Sequence, residues 1–270
     1  MIRRPAVVLA IAWLAAIAVA VVLAGVVAGY DPLAQDAERR LAAPGGAHPF
    51  GTDGFGRDVF SRVVHGGRAS LGVAGLSVLM AGAVGLAVGT VTGYVGGRLD
   101  AIVGRVVDVF LGFPFLVLSL MIVVALSPAP VTVAIAIAVS LAPQVTRVAR
   151  ASALAVRSQE YLTVVRSTGA GTARIVVRHL LPACAPPVVA YLIGAFATAL
   201  GAEATLSFLG LGVPPPYPSW GRMLQEGSRA YFEAAPWVTL IPGAVLSLTI
   251  VSCIVLADVV TRRIGDRQDR

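Results

Sequence analysis

The sequence predicts an all-α polytopic membrane protein with six transmembrane helices and both termini in the cytoplasm. Three observations carry that expectation. Hydrophobic residues fill 57% of the 270 positions and charged ones only 13%, roughly half the charged fraction usual for a soluble domain. Several uncharged runs exceed the 18 residues that mark bilayer-crossing helices. The arginines fall between those runs, and more on one side than the other. A soluble enzyme is excluded, and 29 Gly and 17 Pro without a triplet period exclude a collagen-like chain.

Taken in order, residues 5–30 follow Arg3 and Arg4 and carry no charge. As a helix they measure about 39 Å, enough to cross a hydrocarbon core of ~30 Å. A cleaved signal peptide has a shorter apolar region, about 7–15 residues, so a retained first span is expected with its amino end inside. Residues 69–97 form the second run, between Arg68 and Arg98. Residues 109–146 are too long for one crossing, and Ser127-Pro128-Ala129-Pro130 divides them, since proline lacks the helix donor and restricts the residue before it. The fifth and sixth spans are expected at 183–202 and 237–257. The uncharged stretch after Glu203 is not a span, because Pro214, Pro215, Pro216 and Pro218 cannot sit in a helix interior; residues 210–221 read as an ordered loop.

This divides the chain into a first helix (1–30), an external segment (31–68), a core transmembrane domain (69–260) and a cytoplasmic tail (261–270). The core carries a cytoplasmic loop at 147–182 and an external loop at 203–236. With the amino end inside, 14 arginines are cytoplasmic (Arg3, Arg4, Arg98, Arg105, Arg147, Arg150, Arg157, Arg166, Arg174, Arg178, Arg262, Arg263, Arg267 and Arg270) and seven external (Arg39, Arg40, Arg57, Arg62, Arg68, Arg222 and Arg229). The asymmetry obeys the positive-inside rule.

All 21 basic residues are arginine. Without lysine there is no phosphate-binding loop of the G-x-x-x-x-G-K-[ST] type and no Schiff-base chemistry, so any ATP used must be bound by another chain. Arginines scattered between apolar runs form no single basic patch, and no nucleic-acid partner is expected; the partner implied is membrane lipid. Cys184 and Cys253, isolated in apolar runs, read as small buried hydrophobes rather than metal ligands. No catalytic residue, metal site or cofactor is expected. No Asp, Glu, Arg or His falls near the middle of an expected span, which disfavours a proton-coupled carrier. Two function classes stay open: an ATPase-driven permease, and an ion- or proton-coupled secondary carrier or channel acting without an ATPase.

Gly85, Gly89, Gly93 and Gly97 recur every four residues along one stripe of the second span. Such a stripe admits a neighbouring backbone, either within this chain or from a second membrane subunit. Asp58 and Arg62 are spaced as an i, i+4 pair on a short helix, a scaffolding contact. Trp220 and Trp237 read as anchors at the membrane interface.

The loop at 147–182 is the most patterned soluble stretch. Ser158 is placed to cap a short helix with Glu160 in its first turn. Tyr161, Leu162 and Val165 share one face, and Gly169-Ala170-Gly171 stops it. Thr172 is placed to cap a second helix in which Ala173, Val176, Val177 and Leu180 recur at i, i+3, i+4 and i+7, and Pro182 is expected to end it. An amphipathic connector lying on the membrane fits the same pattern.

Read through Gly169 to Leu181-Pro182, this loop resembles the E-A-A-x3-G-x9-I-x-L-P motif of ABC-importer permeases. Gly and Leu-Pro match in register, while Thr163-Val164-Val165 stands for E-A-A and His179 for Ile. The stretch from His48-Pro49-Phe50-Gly51-Thr52-Asp53 through Gly56-Arg57-Asp58 to Ser61-Arg62 resembles the H-P-x-G-T-D-x-x-G-R-D-x-x-S-R segment of C-type dipeptide and oligopeptide permeases. Ser207-Phe208-Leu209-Gly210-Leu211-Gly212-Val213 with Pro218-Ser219-Trp220-Gly221, and Arg105 and Asp108 with Phe113-Pro114, fit two further family segments. The resemblance covers roughly residues 48–258. It implies the type I ABC importer permease fold in a bacterial inner membrane. It also implies a related B-type permease as partner, two ATPase subunits that bind the ATP, and an external solute-binding protein. Coupling to the ATPase is implied for residues 158–182, on Glu160, Tyr161, Leu162, Val165, Arg166, Gly169 and Ala170.

Overall fold

A computed structural model describes residues 4–167, 171–230 and 232–268. Its regular elements are all helical; the one pairing of extended backbone is an isolated bridge between Thr52 and Asp58.

Helix α1 (Arg4–Val22) and the short α2 (Ala24–Val27) stand at the edge of the bundle, with most side chains exposed. Trp13 and Ile17 pack α1 against the core, and polar contacts add to this. The Trp13 indole donates to Thr249 Oγ1 at 3.1 Å. Arg68 donates to the Val21 and Val22 carbonyls at 2.8 and 2.9 Å, satisfying acceptors that a helix end leaves free.

Helix α3 (Val59–Val95) begins ten residues before the expected second span. Asp58 caps it, accepting from the Ser61 N–H at 2.7 Å. Arg62 does not end it, because its charge is paired from elsewhere in the chain. At the other end Gly96 and Gly97, with φ of +70° and +61°, turn the chain into α4 (Gly97–Leu111). Gly97 therefore works as a turn residue and not as the last rung of the glycine stripe.

The expected third span is broken. Helix α4 and α5 (Phe115–Leu126) meet at 90° across Gly112-Phe113-Pro114. Pro114 lacks the N–H that would continue the ladder and holds the residue before it away from helical angles. Alone, α5 spans only about 18 Å. The break at 127–130 falls where the sequence places it, with Ser127 at φ +73° and Pro130 opening α6 (Pro130–Arg157).

Helix α6 continues to Arg157, so Ser158 closes it and does not open the next: its hydroxyl donates back to the Ala155 carbonyl at 2.8 Å. Helix α7 (Glu160–Ser167) follows. Gly171 precedes α8 (Thr172–Ile175), so Thr172 is the first helical residue rather than the cap. Pro182 does not end the segment either. Residues 176–180 form a π-helical turn, and the helix runs on through Pro182 as α9 (Leu181–Phe208). The wider turn leaves room for a ring that would strike the carbonyl of an ordinary α-turn.

Because α9 reaches Phe208, Glu203 belongs to a helix and not to the external loop. It is 1% exposed, and Ser207 Oγ donates to its carboxylate at 2.7 Å. The proline-rich stretch is non-helical as far as Ser219, while Trp220 and Gly221 of the expected loop open α10 (Trp220–Ala230), and α11 (Trp237–Gln268) follows.

Among the described residues, five helical segments are long and apolar enough to cross a membrane: α1, α3, α6, the continuous α8–α9 and α11. The bent α4–α5 pair makes six if it counts as one. The core is the seam between α3 and α6, closed by α9 and α11 and filled by small residues such as Ala74, Ala81, Ala134, Ala136 and Ala199. Cys184 and Cys253 are free thiols buried in this interior.

Candidate functional site

The candidate site has two ends, one built on α7 and one on the segment before α3, with the glycine seam joining them; they are called inner and outer after the topology expected from the arginine count. At the inner end Leu162 is fully buried, in a small core with Tyr94, Ala153, Val156, Ile175, Val176, Leu180 and Cys184. That core ties α7 to the ends of α3, α6 and α9. One fully buried leucine contributes about 1.5–3 kcal/mol, and Val165 adds a partly buried contact with the same core.

Leu162 was expected to dock on a partner together with Tyr161 and Val165. Instead it is spent inside, and Val165 packs partly against the same core. The outward face holds Glu160, Tyr161 (41% exposed) and Val164 (63%), with Ser167 at its end. The Tyr161 ring lies 6.3 Å from that of His179. Val164 was missed because the helical face was drawn through Leu162 rather than opposite it. Gly169, Ala170 and the side chain of Arg166 lie outside the described residues.

The glycine seam is internal to the chain. A Cβ added at Gly85 would lie 2.6 Å from Val145 Cβ, at Gly89 2.7 Å from Ala149 Cβ, and at Gly93 2.8 Å from Ala153 Cβ. All three contacts are with α6, so α3 and α6 meet backbone to backbone. Gly97 meets nothing within 4 Å.

At the outer end the charges of the 48–62 segment are folded inward. Asp53 accepts from the backbone N–H groups of Phe55 (2.8 Å) and Arg57 (3.0 Å) and from Arg57 Nε (2.7 Å). Glu226, on α10, accepts from Arg57 Nη2 at 3.0 Å and Arg62 Nη2 at 2.8 Å, and Arg222 joins it at 3.0 Å. The Arg57 and Arg62 side chains are 5% and 1% exposed. The expected Asp58–Arg62 pair is not formed. Asp58 binds the start of α3 and His48 Nδ1, at 2.9 Å, while Arg62 turns to Glu226 and Asp53. Glu226 lies more than 160 residues away in sequence, so no local spacing could reveal it.

The two tryptophans are structural as well. Trp220 is fully buried, its indole donating to the Val63 carbonyl at 2.8 Å, and not a membrane-surface anchor. Trp237 is half-buried and donates to the Thr52 carbonyl at 3.2 Å.

A bundle of apolar spans, locked at one end and carrying an exposed amphipathic helix on a light attachment at the other, defines a polytopic membrane permease. Its fold is that of type I ABC importer permeases. A chain of the methionine ABC transporter in an inward-facing conformation superposes with a TM-score of 0.60 at 20% identity, over 75% of this chain and 95% of that one. The chain belongs to the family described as binding-protein-dependent transport system inner membrane component, whose model matches residues 85–269.

Relatives extend the match toward the amino end. A protein of Brucella suis, named as permease of a peptide transport system, is 37% identical over 243 residues, covering 90% of this chain and 81% of its own. The dipeptide transport system permease protein DppC of Haemophilus influenzae is 34% identical, over 83% and 78% respectively. That of Alkalihalophilus pseudofirmus is 32% identical, over 81% and 72%. The chain is thus a multi-pass protein of the bacterial inner membrane.

Proposed function

We propose that this chain is one transmembrane half of an ATP-driven peptide importer. It makes half of the path, pairs with a related B-type permease and takes its energy from two ATPase subunits that hold the ATP, while an external binding protein delivers the solute. The observation that carries this reading is α7: a short helix anchored inward by Leu162, with Glu160, Tyr161 and Val164 exposed on its other face. Such a surface suits the cleft of a soluble partner. The peptide cargo follows the names of the relatives. In this arrangement both termini and α7 are cytoplasmic, the 209–219 loop is external, and the bent α4–α5 pair serves as the third of six spans. ATP drives the cycle only insofar as it interacts differently with inward- and outward-open states.

The test is a set of single cysteines, each on a background lacking Cys184 and Cys253. Val164→Cys is expected to crosslink to the ATPase in the assembled complex and to stay shielded from impermeant reagent in intact cells. Pro215→Cys is expected to label from outside. ATP-dependent uptake of a dipeptide by the complex supports the reading. Uptake by this chain alone, without an ATPase, would replace it with a secondary carrier.

A further inference from the structure

Helix α4 is amphipathic in a way that the rest of this chain does not use up. At 3.6 residues per turn, Leu99, Ile102, Val106 and Val109 fall on one stripe, with Phe113 just past the helix end, and all five are 41% to 63% exposed. Asp100, which Arg150 grips with two bonds of 2.5 and 2.6 Å, and the buried Val107 lie on the far side, toward α6. Arg98 and Arg105, two turns apart, are exposed along one edge between these faces and make no ion pair with any described residue. Val103 and Phe110 take the other edge, so one edge is basic and the other apolar.

The bend decides how α4 lies. It meets α5 at 90°, so with α5 upright in the bilayer α4 runs in the plane. Helix α6 gives the depth. Counted from Pro130 at its outer end, Arg147 and Arg150 are reached after about 26 and 30 Å, at the inner edge of a core of ~30 Å. Those two residues hold α4, through Asp108 and Asp100. An amphipathic helix at this level sinks about 5–10 Å into the acyl boundary, which leaves about 20–25 Å of core beyond it. Helix α5 supplies about 18 Å of that, with Pro114 and Ser127 extended at its ends.

We infer that α4 lies along the inner surface of the bilayer, its exposed stripe among the acyl chains, and that Arg98 and Arg105 bind the phosphates of anionic lipid headgroups. The choice of leaflet rests on the topology proposed above; the lipid contact does not. Charge complementarity selects the occupant. A lipid surface presents hydrocarbon and, a few ångströms further out, phosphate, which is the order in which α4 presents its stripe and its basic edge. The arginine stems can lie along the apolar stripe while the guanidinium groups reach the headgroups, where charge-assisted bonds to phosphate are among the stronger polar contacts. A helix of a second subunit would cover the stripe and find no use for the two arginines beside it unless it brought acids of its own. Because α4 follows α3 directly at Gly96-Gly97 and is tied to α6, headgroup charge bears on the joint between the two helices of the glycine seam.

The test uses the assembled complex in vesicles, with a bimane fluorophore on Ile102→Cys in a background lacking Cys184 and Cys253. Phosphatidylcholine vesicles containing brominated phosphatidylglycerol are compared with vesicles containing the same fraction of brominated phosphatidylcholine. Bromine on the acyl chains quenches only at contact. Both lipids are expected to quench, and the anionic one to bind about fivefold better, the factor that one basic residue contributes at an anionic surface. R98Q/R105Q is expected to bring the two lipids level. R98K/R105K is expected to keep the preference, since lysine holds phosphate as a point charge. No quenching by either lipid would put a partner subunit or water over the stripe and overturn the inference. Equal quenching in the parent chain with its arginines intact, or a preference lost in R98K/R105K, would overturn the headgroup site. The leaflet is read separately: Arg98→Cys is expected to react with an impermeant thiol reagent in inside-out vesicles and not in right-side-out ones. The reverse pattern would overturn the proposed topology and the inner-leaflet assignment with it, while the quenching still decides whether α4 binds anionic lipid.

Discussion

The two ends of the molecule treat charge in opposite ways. At the outer end Arg57 and Arg62 are 5% and 1% exposed and share Asp53 and Glu226. At the inner end Arg147 and Asp108 form an equally short pair with more than half of each side chain in the open. A buried pair is hard to break, because each ion left behind has lost its water; an exposed pair is nearly free to part. The outer end is therefore a clamp that fixes the 31–58 segment, α3 and α10 as one piece. At the inner end α4 is held to α6 by that exposed pair and by Arg150–Asp100, 41% and 18% exposed, so charge ties it more lightly than it ties the outer segment. In the proposed arrangement, driven from the cytoplasmic side, the lightly held parts are the driven ones.

The largest effect expected is from Arg62→Ala. It takes a buried arginine out of a shared ion network, leaving Asp53 to Arg57 and Glu226 to Arg57 and Arg222, and should cost roughly 3–5 kcal/mol, visible as a marked loss of thermal stability or of folded yield in the purified complex. A change no larger than that of a surface substitution would break the contrast between the ends. Leu162→Ala comes next, at roughly 2–5 kcal/mol if the small core cannot close over it. The loss should be local: limited proteolysis would cut around α7 faster, while the outer segment stays protected. Faster cutting everywhere would mean that α7 is part of the main body.

Gly89→Val should cost about 1–3 kcal/mol, since a Cβ there already lies 2.7 Å from Ala149 Cβ. Gly97→Ala, where space is open but φ is +61°, tests a different quantity, the strain of a left-handed angle at about 1–2 kcal/mol. If Gly89→Val proves silent in thermal melts, α3 and α6 do not touch as described. Arg147→Gln closes the series at ~0–1 kcal/mol, and a stability loss rivalling that of Arg62→Ala would erase the difference between the ends.

Local chemistry made part of this legible. Apolar helices at the first, second, fourth, fifth and sixth runs, the break at Ser127–Pro130 and the close approach at Gly85, Gly89 and Gly93 need only neighbours within one turn or one span, and the structure has them. What stayed hidden depends on distant partners. Arg62 seemed to lie outside a membrane helix because the acid that neutralises it sits on α10. Pro182 seemed to stop a helix because the relief comes from a π-turn, which has no strong local signature. Pro114 sat inside an uncharged run, and counting charges passed over the right angle it makes. Leu162 and Val164 look alike in composition; only the core formed by Tyr94, Ile175 and Leu180 decides which of them turns inward.

The length of α6 has a mechanical consequence. It runs for 28 residues with Pro143 in its interior, about 42 Å from end to end, with α7 hung from its inner tip and α3 lying flush along its flank. Three glycines remove the side chains that would cushion that flank. A tilt of only 5° delivered at α7, carried past Pro143 without bending there, would move the far tip by about 4 Å, and α3 would have to follow or part from it. Coupling between an outside partner and the membrane interior becomes a question of leverage: how stiff the rod is, and where along the seam it finds its fulcrum.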